Sequence, residues 1–338
     1  MDVIEVIARQ KEEIEGLRKR EFVEREAEEK MHRWIDKDII KVVTGVRRAG
    51  KSTLCYLVLK DRDFGYVNFD EKVLVSTDPE SILEAVREIY GSTKYLLLDE
   101  IQNLPDWELW VNSLYRRGYN LIITGSNANL LSRELSTHLT GRYIDTEIYP
   151  FSFREVLRYL KYDFSANLLG EKRGKLKSVL RDYLAKGGFP EIWVKELGKE
   201  YLETLFDAIV YKDVVRRWNV KYPVELENLA KYLLSIFSSK YSISKLKNLL
   251  QFRSKTTVEK YIKHLEDAYL LFSLQAFSFK EKERLRSPRK VYSVDTGIAN
   301  AVASFTSPNL GRLMENIVFL DLCRRKKPNR ELFYLSTT

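Results

Sequence analysis

The stretch Gly45–Thr53, GVRRAGKST, decides the fold of this 338-residue chain. It has the spacing Gly, four residues, Gly, Lys, Ser, and it follows the apolar run Ile39–Thr44, IIKVVT. In loops of this pattern the glycines let backbone N–H groups face phosphates, and the helix that follows presents its positive N-terminal end to them. The pattern predicts that all residues of this phosphate loop line a nucleoside triphosphate: Gly45, Val46, Arg47, Arg48, Ala49, Gly50, Lys51, Ser52 and Thr53.

Four side chains of the phosphate loop carry a specific expectation. Lys51 would reach the β- and γ-phosphates, and the Ser52 hydroxyl would lie on Mg²⁺. Arg47 and Arg48 allow two interpretations: they add positive charge against the phosphates, or they contact an acidic neighbour elsewhere in the chain. The sequence does not choose between the two.

Apolar runs alternate with amphipathic helical patterns on either side of this loop. Strands are predicted at Ile39–Thr44, Gly65–Asp70, Tyr95–Glu100 and Asn120–Ser126, and helices at Pro79–Tyr90 and Trp107–Gly118. Continuous apolar strands separated by helices indicate a parallel sheet covered on both faces, so the predicted fold class is α/β. One or two charged amphipathic helices are predicted to precede the sheet within residues 2–33.

Polar residues end two of the predicted strands. YLLLDE brings Asp99 and Glu100 to the carboxyl end of a buried strand, where ligands bind in such sheets. There Asp99 would hold Mg²⁺, and Glu100 would orient or deprotonate the attacking water. NLIITGSN ends in Ser126 and Asn127, which would touch the γ-phosphate and that water, cap the next helix, or do both.

Composition is that of a globular protein without a membrane span. The chain is 44% hydrophobic and 31% charged, and it contains no run of about 18 apolar residues. Two cysteines without a CxxC pattern and three scattered histidines indicate neither a disulfide framework nor a structural metal site. We therefore expect an intracellular, cytoplasmic location.

The net charge of +9 is divided unevenly along the chain. Residues 1–150 contain 22 Lys and Arg against 27 Asp and Glu, whereas residues 151–338 contain 35 against 21. The phosphate loop lies in the acidic part, so a polyanionic partner is expected to bind the basic part. A basic surface without any partner is the alternative.

Residues 225–295 have the spacing of a helix-turn-helix followed by a hairpin. Three helical patterns, ELENLAKYLLSIFS, SISKLKNLLQF and TVEKYIKHLEDAYLL, precede two β-like runs, LFSLQAF and RKVYSVD. Ser242 or Ser244 is expected to cap the second helix, and Thr256 or Thr257 the third. The cationic stretch SFKEKERLRSP joins the two β-like runs, so the order of elements predicts a winged helix.

Cationic side chains gather on the third helix and on the hairpin. Contacts of such side chains with phosphates give affinity without a choice of base sequence. Asn and Gln, which read base edges, are scarce on the third helix. We therefore expect it to bind duplex DNA with low sequence specificity. The residues predicted to bind DNA, named here the basic surface, are Arg253, Lys255, Lys260, Lys263, Lys282, Arg284 and Arg286. Use of the winged helix for packing or subunit contact is the alternative.

Several motifs together resemble one known family. GVRRAGKST, FDE, LLLDEIQ, ITGSNANLLSRELSTHLTGRY, PFSFREVL and GGFPE are similar to motifs of archaeal and bacterial AAA+ ATPases. In that family the C-terminus is a winged helix followed by a nuclease-like domain of unknown function. The resemblance covers nearly the whole chain, and it implies a P-loop NTPase core of AAA+ type with sheet order 5-1-4-3-2, a helical lid, and ATP as the nucleotide.

The resemblance also implies roles for single residues. Lys51 and Ser52 take the Walker A roles, Asp99 and Glu100 the Walker B roles, and Ser126 or Asn127 the sensor position. Arg142 matches the arginine of the family's GR motif and is a candidate arginine finger, a charge that stabilises the transition state from a neighbouring subunit. Arg133 is a second candidate, and for both a plain surface position is the alternative.

The last helical pattern resembles the start of the family's nuclease-like domain, with Glu315 at the place of a characteristic acid. In the family the metal-binding acid and lysine lie on later strands, and this sequence ends after LFYLSTT, so a nuclease site cannot be assembled from these residues. Apolar side chains such as Phe319 and Leu322 are then expected to be exposed and to need a partner.

These patterns predict five segments and leave two functions open. The segments are an N-terminal helical segment (1–35), an AAA+ nucleotide-binding core (36–150), a helical lid (151–221), a winged-helix domain (222–300) and the start of a nuclease-like domain (301–338). The first function is an ATP-hydrolysing, Mg²⁺-dependent ATPase that assembles with further copies and engages double-stranded DNA. The second is an ATP/ADP-dependent switch whose winged helix binds a protein partner.

Overall fold

A computed structural model describes residues 2–127, 141–162, 171–303, 309–326 and 331–335 of the chain. The chain divides into two compact units. The first comprises Met1–Gly45 and Gly50–Ile148, and the second comprises Val46–Ala49 and Tyr149–Thr338. The backbone therefore leaves the first unit and returns to it within the phosphate loop.

The first unit is built on a five-stranded parallel sheet. Its strands are β1 (Ile40–Gly45), β2 (Phe64–Asn68), β3 (Tyr95–Asp99), β4 (Asn120–Gly125) and β5 (Tyr143–Ile148). They lie in the order β2-β3-β4-β1-β5, and every neighbouring pair is parallel. This is the order 5-1-4-3-2 that the resemblance implies, so that prediction is confirmed.

Helices accompany the sheet as the alternating pattern predicts. They are α1 (Val3–Glu15), α2 (Glu28–Trp34), α3 (Lys51–Leu59), α4 (Lys72–Val75), α5 (Pro79–Tyr90) and α6 (Trp107–Arg116). Asp2 begins α1 with a capping box to Glu5. The strands are apolar over most of their length because side chains on both faces pack into a core that includes Val6 and Ile7 of α1.

The second unit is mostly helical. Its first part contains α7 (Phe153–Tyr159), α8 (Glu171–Lys186), α9 (Pro190–Val194), α10 (Lys199–Ala208) and a π-helix at Ile209–Arg216. The glycine pair between α8 and α9 is held by a buried carboxylate, because the Gly188 N–H donates to Asp295 Oδ2 at 2.6 Å. At Gly187, whose φ is +76°, a Cβ would lie 2.0 Å from Asp295 Oδ1, so only glycine fits there.

The second part of this unit contains the predicted helix and hairpin elements. They are α11 (Pro223–Ser235), β6 (Ser239–Tyr241), α12 (Ile243–Leu249), α13 (Lys255–Asp267), β7 (Leu271–Leu274), α14 (Glu281–Arg286) and β8 (Arg289–Ser293). The strands form an antiparallel sheet in the order β6-β8-β7. Strand β6 has no counterpart in the prediction, and the stretch predicted as a hairpin tip contains the short helix α14.

The caps of these helices correct one detail of the prediction. Ser242 or Ser244 was expected to cap α12, and Ser242 does so: its hydroxyl accepts from the Lys245 N–H at 3.3 Å. The third helix is capped by Ser254, which accepts from the Thr257 N–H at 3.1 Å, and not by either threonine. The helix begins at Lys255, so both threonines lie inside its first turn, where a side chain cannot act as the N-cap.

The C-terminal helices are α15 (Thr296–Val302) and α16 (Leu310–Arg325). Phe319 is only 6% exposed, contrary to the expectation, because its ring stacks on Tyr292 with centroids 4.0 Å apart. Leu322 is exposed as expected.

Glu315 accepts from the Tyr292 hydroxyl at 2.7 Å and pairs with Lys290, so its carboxylate lies in an ion pair. The described residues contain no group of three acidic, His or Cys side chains that could hold a metal ion.

No helix within the described ranges is both long enough and apolar enough to cross a bilayer.

Candidate nucleotide-binding site

Two glycines set the path of the phosphate loop. At Gly45, φ is +147° and a Cβ would lie 2.0 Å from the Ile148 carbonyl oxygen, so β1 and β5 approach too closely there for any side chain. Gly50 has φ +93°, in the left-handed region, and it is the residue directly before α3. No side-chain hydrogen bond caps α3. The N-terminus of a helix binds anions through its backbone N–H groups and its positive dipole end.

Lys51 lies at the start of α3 with its side chain only 4% exposed. Its Nζ donates to the Gly45 carbonyl oxygen at 3.2 Å and lies 3.3 Å from Glu100 Oε1. The ammonium group is therefore positioned between the phosphate loop and the end of β3. The sequence predicted that these residues meet, because parallel strands end at the same edge of a sheet.

Asp99 is the most enclosed acid of the site. Its carboxylate accepts hydrogen bonds from the hydroxyls of Ser52, Thr124 and, at 3.1 Å, Tyr66. Burial raises the pKa of Asp99, the negative charge of Glu100 raises it further, and the hydrogen bonds from Ser52 and Thr124 oppose this rise. A positive charge beside Asp99 would therefore be stabilised by the ionised carboxylate.

Ser52 and Asp99 fit a magnesium ion by their chemistry. A hydroxyl oxygen and a carboxylate oxygen are hard ligands of the kind that Mg²⁺ prefers, and the two groups already contact each other.

Glu100 has a strained backbone and a fixed side chain. Its φ of +51° is in the left-handed region, which costs a non-glycine residue about 1–3 kcal/mol. The Glu100 N–H donates to Thr124 Oγ1 at 3.1 Å, and Gln102 Nε2 donates to Glu100 Oε2 at 2.5 Å. Thr124 thus contacts both acids from the neighbouring strand, and Gln102 holds the Glu100 carboxylate from its other side.

Ser126 and Asn127 follow β4 and are fully buried. Within the described part of the chain, Ser126 Oγ has no hydrogen-bond partner. Residues 128–140 lie outside the described residues, and so does the helix that the two side chains would cap. Their position after β4 brings them to the edge of the sheet at which β3 ends, beside Asp99 and Glu100.

Arg47 and Arg48 both contact acidic side chains in the structure. Arg47 Nε and Nη2 donate to the two carboxylate oxygens of Asp213 at 2.9 and 2.8 Å, and Asp213 is nearly fully buried. Arg48 Nη1 lies 3.3 Å from Glu191 Oε1. Both arginines therefore contact acidic neighbours within the second unit. Asp213 lies on the π-helix, 166 residues along the chain, and no local signal in the sequence could have found it.

Arg25 is a second residue of interest that the sequence pattern did not indicate. It is buried, and its Nη1 would lie 3.0 Å from a Cβ at Gly50, so the guanidinium group lies against the phosphate loop. Arg25 belongs to a charged run that leads into the start of α2, EREAEE, and such a run is typical of a solvated surface. Nothing in that pattern distinguishes this arginine from its charged neighbours.

Arg142 lies at the opposite edge of the sheet from the phosphate loop. It directly precedes β5, in which Tyr143 pairs with Ile40 at the start of β1 and Ile148 pairs with Gly45 at its end. A strand of this length spans roughly 17–20 Å, so Arg142 does not reach the phosphate loop of its own chain. The exposed side chain donates to Asn112 Oδ1 at 3.0 Å. Arg133, the other candidate finger, lies outside the described residues.

The basic surface belongs to the second unit and is largely exposed. Arg253, Lys255, Lys260, Lys263, Lys282 and Arg286 are exposed, and Arg284 is half-buried. Lys263 Nζ lies 3.1 Å from Asp267 Oδ1, and Arg284 lies over the Phe333 ring at 5.6 Å. These two cations are therefore partly engaged by the protein itself.

Comparison with known proteins agrees with this architecture. A family model described as an AAA domain matches residues 37–157, and a model described as a domain of unknown function (DUF8612) matches residues 177–309. The Walker-type ATPase PABY2304 of Pyrococcus abyssi is 15% identical and aligns with a TM-score of 0.53 over 83% of this chain and 96% of its own. At this identity the similarity shows the fold, which is that of a P-loop ATPase.

Two relatives are similar over most of their length. The uncharacterized protein MJ1544 of Methanocaldococcus jannaschii is 37% identical over 309 residues, covering 88% of this chain and 69% of the relative. An uncharacterized protein of Haemophilus influenzae is 34% identical over 310 residues, covering 86% and 76%. The chain belongs to the family of these two proteins, and its residues 37–157 form an AAA-type ATPase-like domain.

Proposed function

We propose that this protein binds and hydrolyses ATP and uses the cycle to act on DNA held by its second unit. The observation that carries the proposal is the meeting of Lys51, Asp99 and Glu100 beside the phosphate loop. A buried lysine, a buried acid with a hydroxyl partner and a second acid at the strand end together supply the groups that phosphoryl transfer to water requires.

Glu100 is the proposed general base. An oxygen of water attacks the γ-phosphorus, the bond from that phosphorus to the β–γ bridging oxygen breaks, and the water proton passes to the Glu100 carboxylate. Lys51 binds the phosphate oxygens and shields their charge from that carboxylate. Gln102, which donates to Glu100 Oε2 at 2.5 Å, orients the carboxylate for the transfer.

Ser52 and Asp99 are the proposed ligands of Mg²⁺, which when bound neutralises charge on the β- and γ-phosphates. Ser126 and Asn127 are the proposed sensor residues. Their burial at the end of β4 supports a contact with the γ-phosphate or with the attacking water, as does the Ser126 hydroxyl, which has no hydrogen-bond partner among the described residues.

Arg142 is proposed to act on the nucleotide of a neighbouring copy. It lies at the edge of the sheet opposite the phosphate loop of its own chain, and its side chain is exposed. An arginine in this place acts as a finger only across an interface between copies, so the role requires an oligomer.

The second unit is proposed to comprise a helical lid (151–221), a winged helix (222–300) and the beginning of a nuclease-like domain (301–338). The order α11-β6-α12-α13-β7-β8 with its antiparallel sheet supports the winged helix. The exposed lysines and arginines of the basic surface support phosphate contact with duplex DNA.

The test is steady-state ATP hydrolysis by the full chain with and without duplex DNA, at low and at moderate salt. Hydrolysis that rises with DNA, loses this stimulation as salt increases, and disappears in the Lys51→Ala variant supports the proposal. The matched control is Lys60→Ala, since Lys60 is an exposed lysine directly after the same helix. A rate of hydrolysis that DNA does not change at any salt concentration contradicts the proposed action on DNA.

One observation favours the alternative, an ATP/ADP-dependent switch that binds a protein partner. The bidentate Arg47–Asp213 ion pair ties the phosphate loop to a π-helix, a kind of element that is often found at functional sites. Slow turnover, tight nucleotide binding and indifference to DNA would support the switch over the DNA-dependent enzyme.

A further inference from the structure

Three large apolar side chains project from the segment between β7 and β8. Phe279 is 97% exposed, Leu285 is 65% exposed and Phe277 is 44% exposed. These three residues are named here the aromatic tip. A cluster of large apolar side chains in water is unfavourable for a folded chain, and such clusters commonly mark a binding surface.

The base of the aromatic tip is anchored to the fold. The Phe277 N–H donates to the Tyr334 carbonyl oxygen at 2.9 Å, and the Phe277 ring packs edge-on against Phe333 with centroids 6.0 Å apart. Phe279 in turn meets Phe277 edge-on at 5.0 Å. The Phe279 ring therefore extends from a fixed aromatic support and not from a loose loop.

A local turn fixes the direction of Phe279. The Ser278 hydroxyl donates to Glu283 Oε2 at 3.0 Å, and its Oγ accepts from the Lys280 N–H at 3.1 Å. The residues on both sides of Phe279 are thus hydrogen-bonded to each other and to α14. The backbone on both sides of Phe279 is therefore ordered before binding, which reduces the entropy lost when the ring is bound.

Four cations follow Phe279 in the same segment, namely Lys280, Lys282, Arg284 and Arg286. Glu281 and Glu283 lie in the same segment but are engaged locally, Glu283 with Lys280 at 3.1 Å and Glu281 with Arg284 at 3.8 Å. Lys282 and Arg286 are exposed and form no ion pair with any residue in the described ranges. The segment therefore carries exposed aromatic rings together with positive charges that no acid of the described residues neutralises.

We infer that the aromatic tip is a nucleic-acid stacking element, in which Phe279 inserts between or against bases while Lys282 and Arg286 contact the flanking phosphates. Apolar side chains that wedge between base steps, and aromatic rings on which bases stack, are established ways of binding DNA. Charge complementarity favours DNA as the occupant, since the segment 277–286 contains four cations (Lys280, Lys282, Arg284 and Arg286) against two acids (Glu281 and Glu283). This inference rests on the proposed DNA-binding function and names the contact that it uses.

Substitutions can separate the role of the ring from that of the charges. Stacking contributes about 1–3 kcal/mol per base, so Phe279→Ala should weaken DNA binding about 5- to 150-fold. The dependence of affinity on salt should stay unchanged, because this variant keeps every cation that meets a phosphate. Phe279→Trp should restore most of the affinity. Lys282→Ala should instead reduce the salt dependence, by about 0.9 in the slope of log affinity against log salt for each phosphate that the protein no longer neutralises.

The experiment measures binding of the full chain to a fluorescein-labelled duplex by fluorescence anisotropy at several salt concentrations. A second duplex that contains 2-aminopurine reports the unstacking of a base directly. The matched control is Val224→Ala. Val224 is an apolar residue of the same unit that is 66% exposed, and in the sequence it is well separated from the aromatic tip. A loss of affinity and of the 2-aminopurine signal in Phe279→Ala, but not in Val224→Ala, supports the inference.

The other outcomes are equally distinct. Wild-type binding to DNA that Phe279→Ala leaves unchanged overturns the stacking role and leaves the proposed function intact. Absence of wild-type binding at low salt overturns both. Wild-type and variant chains are also mixed with vesicles of phosphatidylcholine and phosphatidylserine. Vesicle binding that requires Phe279, together with DNA binding that does not, would assign the aromatic tip to a membrane surface and contradict the inference.

Discussion

The charges of the nucleotide site and those of the basic surface are arranged in opposite ways. Lys51, Asp99 and Glu100 are buried or nearly so, and each is in contact with another polar group of the site. Lys255 and Lys260 extend into solvent. Buried charges interact strongly at short range, whereas exposed charges are screened within about 8–10 Å at ordinary salt concentrations. The rate of ATP hydrolysis should therefore depend on the exact geometry of the nucleotide site. The affinity of the basic surface for DNA should depend on the number of its charges.

The largest effect is expected from Glu100→Gln. The substitution keeps the size of the side chain and removes the proton acceptor, so the rate of ATP hydrolysis should fall about 10²- to 10⁴-fold while nucleotide binding is retained. Phosphate release and the Kd of a fluorescent ATP analogue measure the two properties separately. The double variant Glu100→Gln/Gln102→Glu is a useful companion, since it places a carboxylate two residues away and should not restore the base. Full activity in Glu100→Gln would remove Glu100 from the mechanism.

A smaller effect is expected where a buried charge acts on stability. Asp213→Asn leaves Arg47 without its bidentate partner, and breaking a buried ion pair costs up to about 3–5 kcal/mol. Arg47 is 22% exposed, so water recovers part of this loss and we expect about 1–3 kcal/mol. Urea unfolding of Arg47→Ala, Asp213→Asn and the double variant gives the coupling energy. Strict additivity of the two single substitutions would show that the pair contributes nothing.

The smallest effect is expected at the basic surface. Lys260→Ala should leave ATP hydrolysis without DNA unchanged and weaken DNA binding only slightly, with a slightly reduced salt dependence. Removing Lys255 and Lys260 together should roughly double the reduction, because exposed charges act almost independently. Anisotropy titrations across salt concentrations measure this. A single lysine substitution that abolished binding would mean that the surface works by geometry, as the nucleotide site does.

Local patterns were enough to predict the site of the first unit. Each strand is a short apolar run, and the polar residues that follow it are adjacent in sequence, so Asp99 and Glu100 had to reach the edge of the sheet beside Lys51. The predicted helix Pro79–Tyr90 is present with these bounds, because Asp78 and Pro79 are strong signals of a helix start.

Contacts between distant residues were beyond such patterns. Arg47 meets Asp213, and Arg25 meets Gly50, only after the chain has folded. In the sequence nothing distinguishes Asp213 or Arg25 from its charged neighbours. Phe319 shows the same limit, since its burial depends on a stacking partner, Tyr292, on another element.

The sequence by itself determined the phosphate loop, the first four strands of the parallel sheet with the helices between them, and the acids at the end of β3, because each depends on residues within a few positions of one another. The tertiary structure alone decided which carboxylates hold Arg47 and Arg48, that Arg142 lies away from the phosphate loop of its own chain, and that Phe279 projects among cations. These depend on distances between segments far apart in the chain, which packing of the whole fold sets and no local propensity encodes.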